Sequence, residues 1–284
     1  GKGDWRSGYY RDQTWMMAMG LYSAVDFFHQ LYGNTGREIT TGSGGRVFNN
    51  HFSVPNINPD GSWRDLMKQK NSSSDISPTA GQMPRLLGLA YASKLFRQNQ
   101  DLHKFTTLSS AGNEVAFGSI GDASTSEGHF WETINAAGVL QVPMAISVYD
   151  DGYGISVPKK YQTTKGSISD LLKGFESEPD RPGIRIFKGK GWDYPGLLKM
   201  YEEGIEICRT GHIPVLFHIE DVTQPLGHST SGSHERYKSE ERLKWEEEFD
   251  PIVKMREWIL SEKIAADDEL DVIAAEALEE AREA

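Results

Sequence analysis

Chemistry in this chain is most plausible at two short acidic turns, each closing an apolar run. Residues 114–122, EVAFGSIGD, end in Asp122 and lead into the small-residue turn GDASTSEG. Residues 142–151, VPMAISVYDD, end in Asp150 and Asp151 and lead into GYGIS. In a parallel α/β sheet, ligands gather beyond the carboxyl ends of the strands, and a small-residue turn at a helix N-terminus is the usual seat of a phosphate. An acidic residue there repels phosphate unless a divalent cation lies between them. Two adjacent strand ends bearing Asp122 and Asp150–Asp151 suit one hard cation, with a backbone carbonyl near Tyr153 as a further oxygen. The same spacing also suits a plainer arrangement, in which Asp122 caps a helix and DDGYG is a tight turn. Spacing by itself leaves both open.

The elements that must position these turns follow from periodicity. The two apolar runs flank SEGHFWETINAAGVL, a helical pattern, which makes a β-α-β unit with a parallel crossover. A strand at 183–187, a helix over 193–209 and a strand at 213–221 continue the alternation. The expected class is α/β, a doubly wound and mainly parallel sheet with C-terminal helices. Upstream, residues 14–32 are apolar all round and read as one buried helix, and 79–96 as another. Between them, 33–75 is polar and rich in Gly and Asn. Residues 224–237, QPLGHSTSGSHERY, form a loop too polar for a core, and 238–284 read as charged amphipathic helices. No internal repeat is evident, and 1–284 reads as a single domain.

Composition narrows the function. With a net charge of −11 and a pI near 5.2, the chain lacks the basic face that nucleic acid or an anionic membrane requires. An anionic ligand must therefore be held by a local site. Cys208 is the only cysteine, which excludes an internal disulfide and a cysteine metal cluster and is compatible with a reducing compartment. No run of about 18 apolar residues appears. The opening GKGDWRSGYYRDQTW has neither signal-peptide order nor an initiator Met, and the closing DDELDVIAAEALEEAREA is helical without a stop. The reading is a cytoplasmic chain, cut from a longer polypeptide.

GDASTSEGHFWETINAAGVLQVPMAISVYDDGYGISVP resembles the cofactor motif in the alpha subunit of the thiamine diphosphate-dependent first component of 2-oxoacid dehydrogenases. That motif is a Gly-Asp-Gly turn followed, about 25–30 residues on, by Asn-Asn before Gly-Tyr-Ala-Ile-Ser. Here Ala123 stands for the third residue and Asp150–Asp151 for the Asn pair. An aspartate ligates magnesium as asparagine does but adds a negative charge facing the diphosphate. YYRDQT, GSGGRVFNNHF, DISPTAGQMPRLLGLAYASKL and GHSTSGSHERY resemble further segments of the family, in order.

The resemblance implies a site residue by residue. Tyr10 and Arg11 would contact the diphosphate, Arg11 as a bidentate partner, and Ser77 and Thr79 would line the cofactor. Gly121, Asp122, Ala123 and Ser124 would form the turn beneath it. Asp122, Asp151 and the Tyr153 carbonyl would bind Mg2+. His228 would lie at the cofactor with Ser229 beside it, and His228 and His51 could exchange protons near neutral pH. Gln224 occupies the place of the family's leading Arg in that loop, so phosphorylation control is not expected. His29, His103, His212 and His218 match nothing, and the Trp residues and Met16–Met17 read as core or interface.

The implied reaction is oxidative decarboxylation of a 2-oxoacid, branched-chain ahead of pyruvate, with acyl transfer to lipoamide on the lipoyl domain of the acyltransferase component. The catalytic glutamate of the family comes from a beta subunit or a fused beta half, so the chain alone is expected to be inactive, and 14–32 and 79–96 are candidates for that contact. Two other readings are a different thiamine diphosphate enzyme, transketolase-like or acetoin-cleaving, and a non-catalytic assembly or regulatory subunit. Ala123, Asp150 and Asp151 are the features that favour the last.

Overall fold

The computed structural model describes residues 1–36, 44–228 and 234–284. Eight strands are described: β1 (Trp5–Ser7), β2 (Asn71–Ser72), β3 (Ala116–Gly121), β4 (Met144–Tyr149), β5 (Tyr153–Gly154), β6 (Val157–Pro158), β7 (Arg185–Lys190) and β8 (Val215–Glu220). Six form one parallel sheet in the order β2-β1-β3-β4-β8-β7, and β5 and β6 make a small antiparallel hairpin. The central strands are AFGSIG, MAISVY and VLFHIE, buried on both faces as parallel strands are. The edge strand β7, RIFKGK, carries Arg185, Lys188 and Lys190, charges that discourage further pairing.

Helices cover both faces. Period-two alternation sends Ile146, Val148 and Leu216 to one side, where they pack with Met83 and Leu86 of α3 (Gln82–Gln98) and Phe130 and Ile134 of α4 (Gly128–Leu140). Ala145, Val215, Phe217 and Ile219 face the other way, against Met200 and Cys208 of α6 (Tyr194–Gly211). The short α5 (Ile168–Leu171) joins the first side. Beyond β8 come α7 (Glu240–Glu248), α8 (Pro251–Ser261) and α9 (Asp267–Glu283). The architecture is doubly wound α/β. From β1 the chain moves outward to β2 and then back across to β3, so the strand order reverses between β1 and β3 and opens a crevice at their carboxyl ends.

The single helix expected over 14–32 is instead two, α1 (Gln13–Ala18) and α2 (Ala24–Leu31). Gly20 at φ +68° turns the chain, and Ser23 starts α2 by accepting from the Asp26 N–H while Asp26 accepts from the Ser23 N–H, a capping box. Two local stop-and-start signals outweigh the apolar run. Among the described residues, no helix is long and apolar enough to cross a membrane.

Candidate active site

The turn after β3 winds into a 3-10 segment, Ala123–Ser126, before α4 begins. Asp122 precedes that segment but makes no side-chain cap bond. It is 4% exposed, and its Oδ2 is buried without a hydrogen-bond partner. Capping is therefore not what this carboxylate does. Burial, then the charges of Asp150 and Asp151, push its pKa up to about 8. Such a group is largely protonated at neutral pH unless a cation joins it.

The two aspartates that end β4 face different ways. Asp150 Oδ2 accepts from Lys159 Nζ at 2.8 Å and His218 Nε2 at 3.0 Å, and Oδ1 accepts from the Gly152 N–H at 2.9 Å. Burial acts to raise its pKa, but the bonds from His218 and Lys159 prevail and hold it below the usual carboxylate range. Among the described residues, Asp151 Oδ1 accepts the Tyr153 N–H, at 3.1 Å, and burial raises its pKa. Asp122 and Asp151 line the crevice, and Asp150 does not.

Among the described residues no three Asp, Glu, His or Cys side chains converge as a metal set. The donors present are two crevice-facing carboxylates beside a backbone turn. That set fits Mg2+, which takes few protein oxygens and completes its shell with water and ligand phosphate. Ala123, where the motif has glycine, adopts a helical turn without positive φ, so the backbone there does not require glycine.

A buried arginine fixes the opposite wall. Arg6 on β1, 2% exposed, bonds Asp12 Oδ2 at 2.7 Å and both oxygens of Asp75 at 3.0 Å. Asp12 Oδ1 also accepts from Ser119 Oγ on β3, at 2.5 Å, and Asp75 from the Phe52 N–H, at 2.9 Å. This network anchors the turn that carries Tyr10 and Arg11. The Arg11 guanidinium lies over the Tyr10 ring, 5.2 Å from its centroid, and its Nη2 is 2.9 Å from His228 Nδ1. Burial, then Arg11 and Lys238, pull the His228 imidazole below its ordinary pKa, and toward a guanidinium it can only accept.

A cavity of about 1490 Å³ opens at this crevice. Tyr10, Arg11, Thr79, Gly121, Asp122, Ala123 and Ser124 line it, with Asp151, Tyr153 and His228 opposite. Ser77 and His51 stand outside its lining. They meet each other instead, Ser77 Oγ 3.3 Å from His51 Nε2, while His51 Nδ1 faces the Asn49 carbonyl at 3.0 Å. Ser229 falls outside the described residues. The cavity continues along the sheet face between α1 and α6, past Trp15, Phe117 and Ile205.

Sequence reading missed the residues that hold the Asp151–Tyr153 turn. Arg242 Nη2 donates to the Asp151 carbonyl at 2.8 Å. Lys238 Nζ lies 5.4 Å from the Tyr153 ring centroid and is paired with buried Glu246 at 2.7 Å. Nothing in the spacing of Lys238 or Arg242 signals this role. His218 does carry a signal, as one polar residue inside the apolar strand VLFHIE.

The fold defines a doubly wound α/β protein with its ligand crevice at the switch point. Residues 1–284 match the family model described as Dehydrogenase E1 component, and the chain belongs to that family. It is 25% identical over 284 residues to the 2-oxoisovalerate dehydrogenase subunit alpha of Bacillus subtilis (strain 168), covering 97% of this chain and 74% of the relative. With the mitochondrial 2-oxoisovalerate dehydrogenase subunit alpha of Caenorhabditis elegans it shares 27% over 254 residues, 89% of this chain and 49% of the relative. With the pyruvate dehydrogenase E1 component subunit alpha of Rickettsia typhi (strain ATCC VR-144 / Wilmington) it shares 24% over 192 residues, 68% of this chain and 52% of the relative. The chain thus matches about half the length of the latter two.

Proposed function

We propose that this chain forms the magnesium–diphosphate half of a thiamine diphosphate site in a 2-oxoacid dehydrogenase, acting on branched-chain 2-oxoacids ahead of pyruvate. A beta subunit or fused beta half completes the site, and the acyl group passes to a lipoyl domain. The observation that carries the reading is the buried, unpartnered Asp122 Oδ2 at the switch point, beside crevice-facing Asp151. Family membership supports it, and the names of the relatives support the substrate class.

Asp122, Asp151 and the Tyr153 carbonyl would hold Mg2+, and Arg11 with Tyr10 would hold the diphosphate. Gly121, Ala123 and Ser124 would form the floor, with Thr79 on the wall. Thiamine diphosphate, when bound, supplies the carbanion-stabilising chemistry of decarboxylation. The chain's own work is to bind, orient and exchange protons. His228, neutral and beside the crevice, is suited to accept or return a proton at Nε2. His51 and Ser77, hydrogen-bonded to each other outside the cavity lining, would serve from the neighbouring loop.

The test is calorimetric titration of thiamine diphosphate into the assembled enzyme, with and without Mg2+. Magnesium-dependent binding, lost by at least roughly a hundredfold in both Asp122→Ala and Asp151→Ala, is expected for side chains that touch a cation which few other protein groups hold. Unchanged binding in either variant would remove that residue from the cation's shell. The absence of binding in the native assembly would favour a non-catalytic subunit.

A further inference from the structure

We propose that His218 on β8 is a positioning residue for the cation turn: it keeps the Asp150 carboxylate facing into the protein, so that of the three acids ending β3 and β4 only Asp122 and Asp151 face the crevice. The inference rests on the cation reading above, and goes beyond it by giving a role to a histidine with no access to the crevice.

Strand register makes the contact. Val148 of β4 is paired with His218 of β8, and Asp150, two residues beyond Val148, emerges on the same side. That side faces α5, whose Ser169 Oγ lies 2.9 Å from His218 Nδ1. An ionised carboxylate only accepts hydrogen bonds, so the 3.0 Å contact between His218 Nε2 and Asp150 Oδ2 puts a proton on Nε2. Lys159 bonds the same oxygen from the other direction, and the Gly152 N–H holds Oδ1. Glu220 Oε1 is the remaining charged group near the ring, 3.9 Å from Nδ1.

The order carboxylate, imidazole, hydroxyl is that of a nucleophilic triad. Here His218 is 0% exposed and Asp150 and Ser169 are each 2% exposed, so no substrate reaches Ser169 and the assembly holds a carboxylate in place. Without the Nε2 donor, Asp150 becomes a loosely held third acid beside Asp122 and Asp151. It then either turns toward the cation or strains the loop that presents Asp151. Partners of this outer kind typically change metal affinity by about 10–100-fold.

The experiment is Mn2+ titration of the assembled enzyme with thiamine diphosphate present, read by electron paramagnetic resonance of free Mn2+, with a thermal melt of each protein. His218→Met is expected to weaken Mn2+ by roughly tenfold or more. His218→Gln, of matching shape but with an amide donor at the place of Nε2, is expected to stay within about threefold of native because it keeps the restraint, as is His218→Met combined with Asp150→Asn because it removes the charge. Native affinity in His218→Met would overturn the inference. So would equal weakness in the single and double variants, which would make His218 a core filler. Should His218→Met melt below the assay temperature, the double variant is compared with Asp150→Asn alone, and a further loss on adding His218→Met would overturn it. Failure of the native enzyme to bind Mn2+ would sink the cation reading itself, and is distinct from a failure confined to the variants.

Discussion

Burial and two neighbouring aspartates keep Asp122 protonated up to about pH 8, so a cation entering the turn below that pH must displace a proton. The affinity of the assembled enzyme for Mg2+ should then rise by up to about tenfold per pH unit below 8 and level off above it. A profile flat from pH 6 to 9 would show that Asp122 does not ligate the ion. The sign for stability is opposite in the cation-free chain. Its folded pKa lies above the ordinary carboxylate value of 3.8, so the contribution of this group is fully present below about pH 4 and is lost as pH rises through about 8. Melting temperatures with and without Mg2+ should therefore diverge more at pH 8 than at pH 6. Asp150, one strand over, shows how local this logic is: three donors have already claimed it, where Asp122 Oδ2 has none.

Between residues and fold stands the Arg6 network, which ties β1 to the turn at Asp12, the loop at Asp75 and, through Ser119, β3. Arg6→Met would leave two carboxylates buried without their counter-charge, a change that costs about 3–5 kcal/mol, and denaturant unfolding should report that loss. A loss under about 1 kcal/mol would mean that water or neighbouring donors replace the guanidinium. Neither this network nor the short strands β1 and β2 are legible in the sequence. β1 has three residues and β2 has two, too few for a periodic pattern, and their pairing is decided by contacts some 65 positions apart. The long strands β3, β4 and β8 could be read because burial on both faces imposes an apolar run. The residues that line the crevice were legible through resemblance, since spacing alone left Asp122 open to a capping role. The split of 14–32 into two helices was missed because an apolar run masks a glycine turn and a serine cap. Lys159, Lys238 and Arg242 could not be found at all, because a surface-type residue acquires its role only when a distant loop folds over it.

On the scale of the whole molecule, segments far apart in sequence converge on one crevice, among them the ends of β1, β3 and β4 and, from beyond β8, Gln224 and His228. All of them come from one doubly wound unit, and under the proposed function a beta half completes the crevice. The chain alone should therefore show no decarboxylation of 3-methyl-2-oxobutanoate and should regain it with its beta half; turnover by the purified chain would reject the need for a partner. The contact between Arg11 and His228 has its own consequence at this scale. If Arg11 turned Nη2 onto a phosphate oxygen it would release the imidazole that this nitrogen now holds, so anion capture and histidine release would become one exchange. Thermodynamic coupling is reciprocal: whatever engaged the freed His228 would tighten the hold of Arg11 on the anion by the same factor, and the histidine would register whether the crevice is occupied.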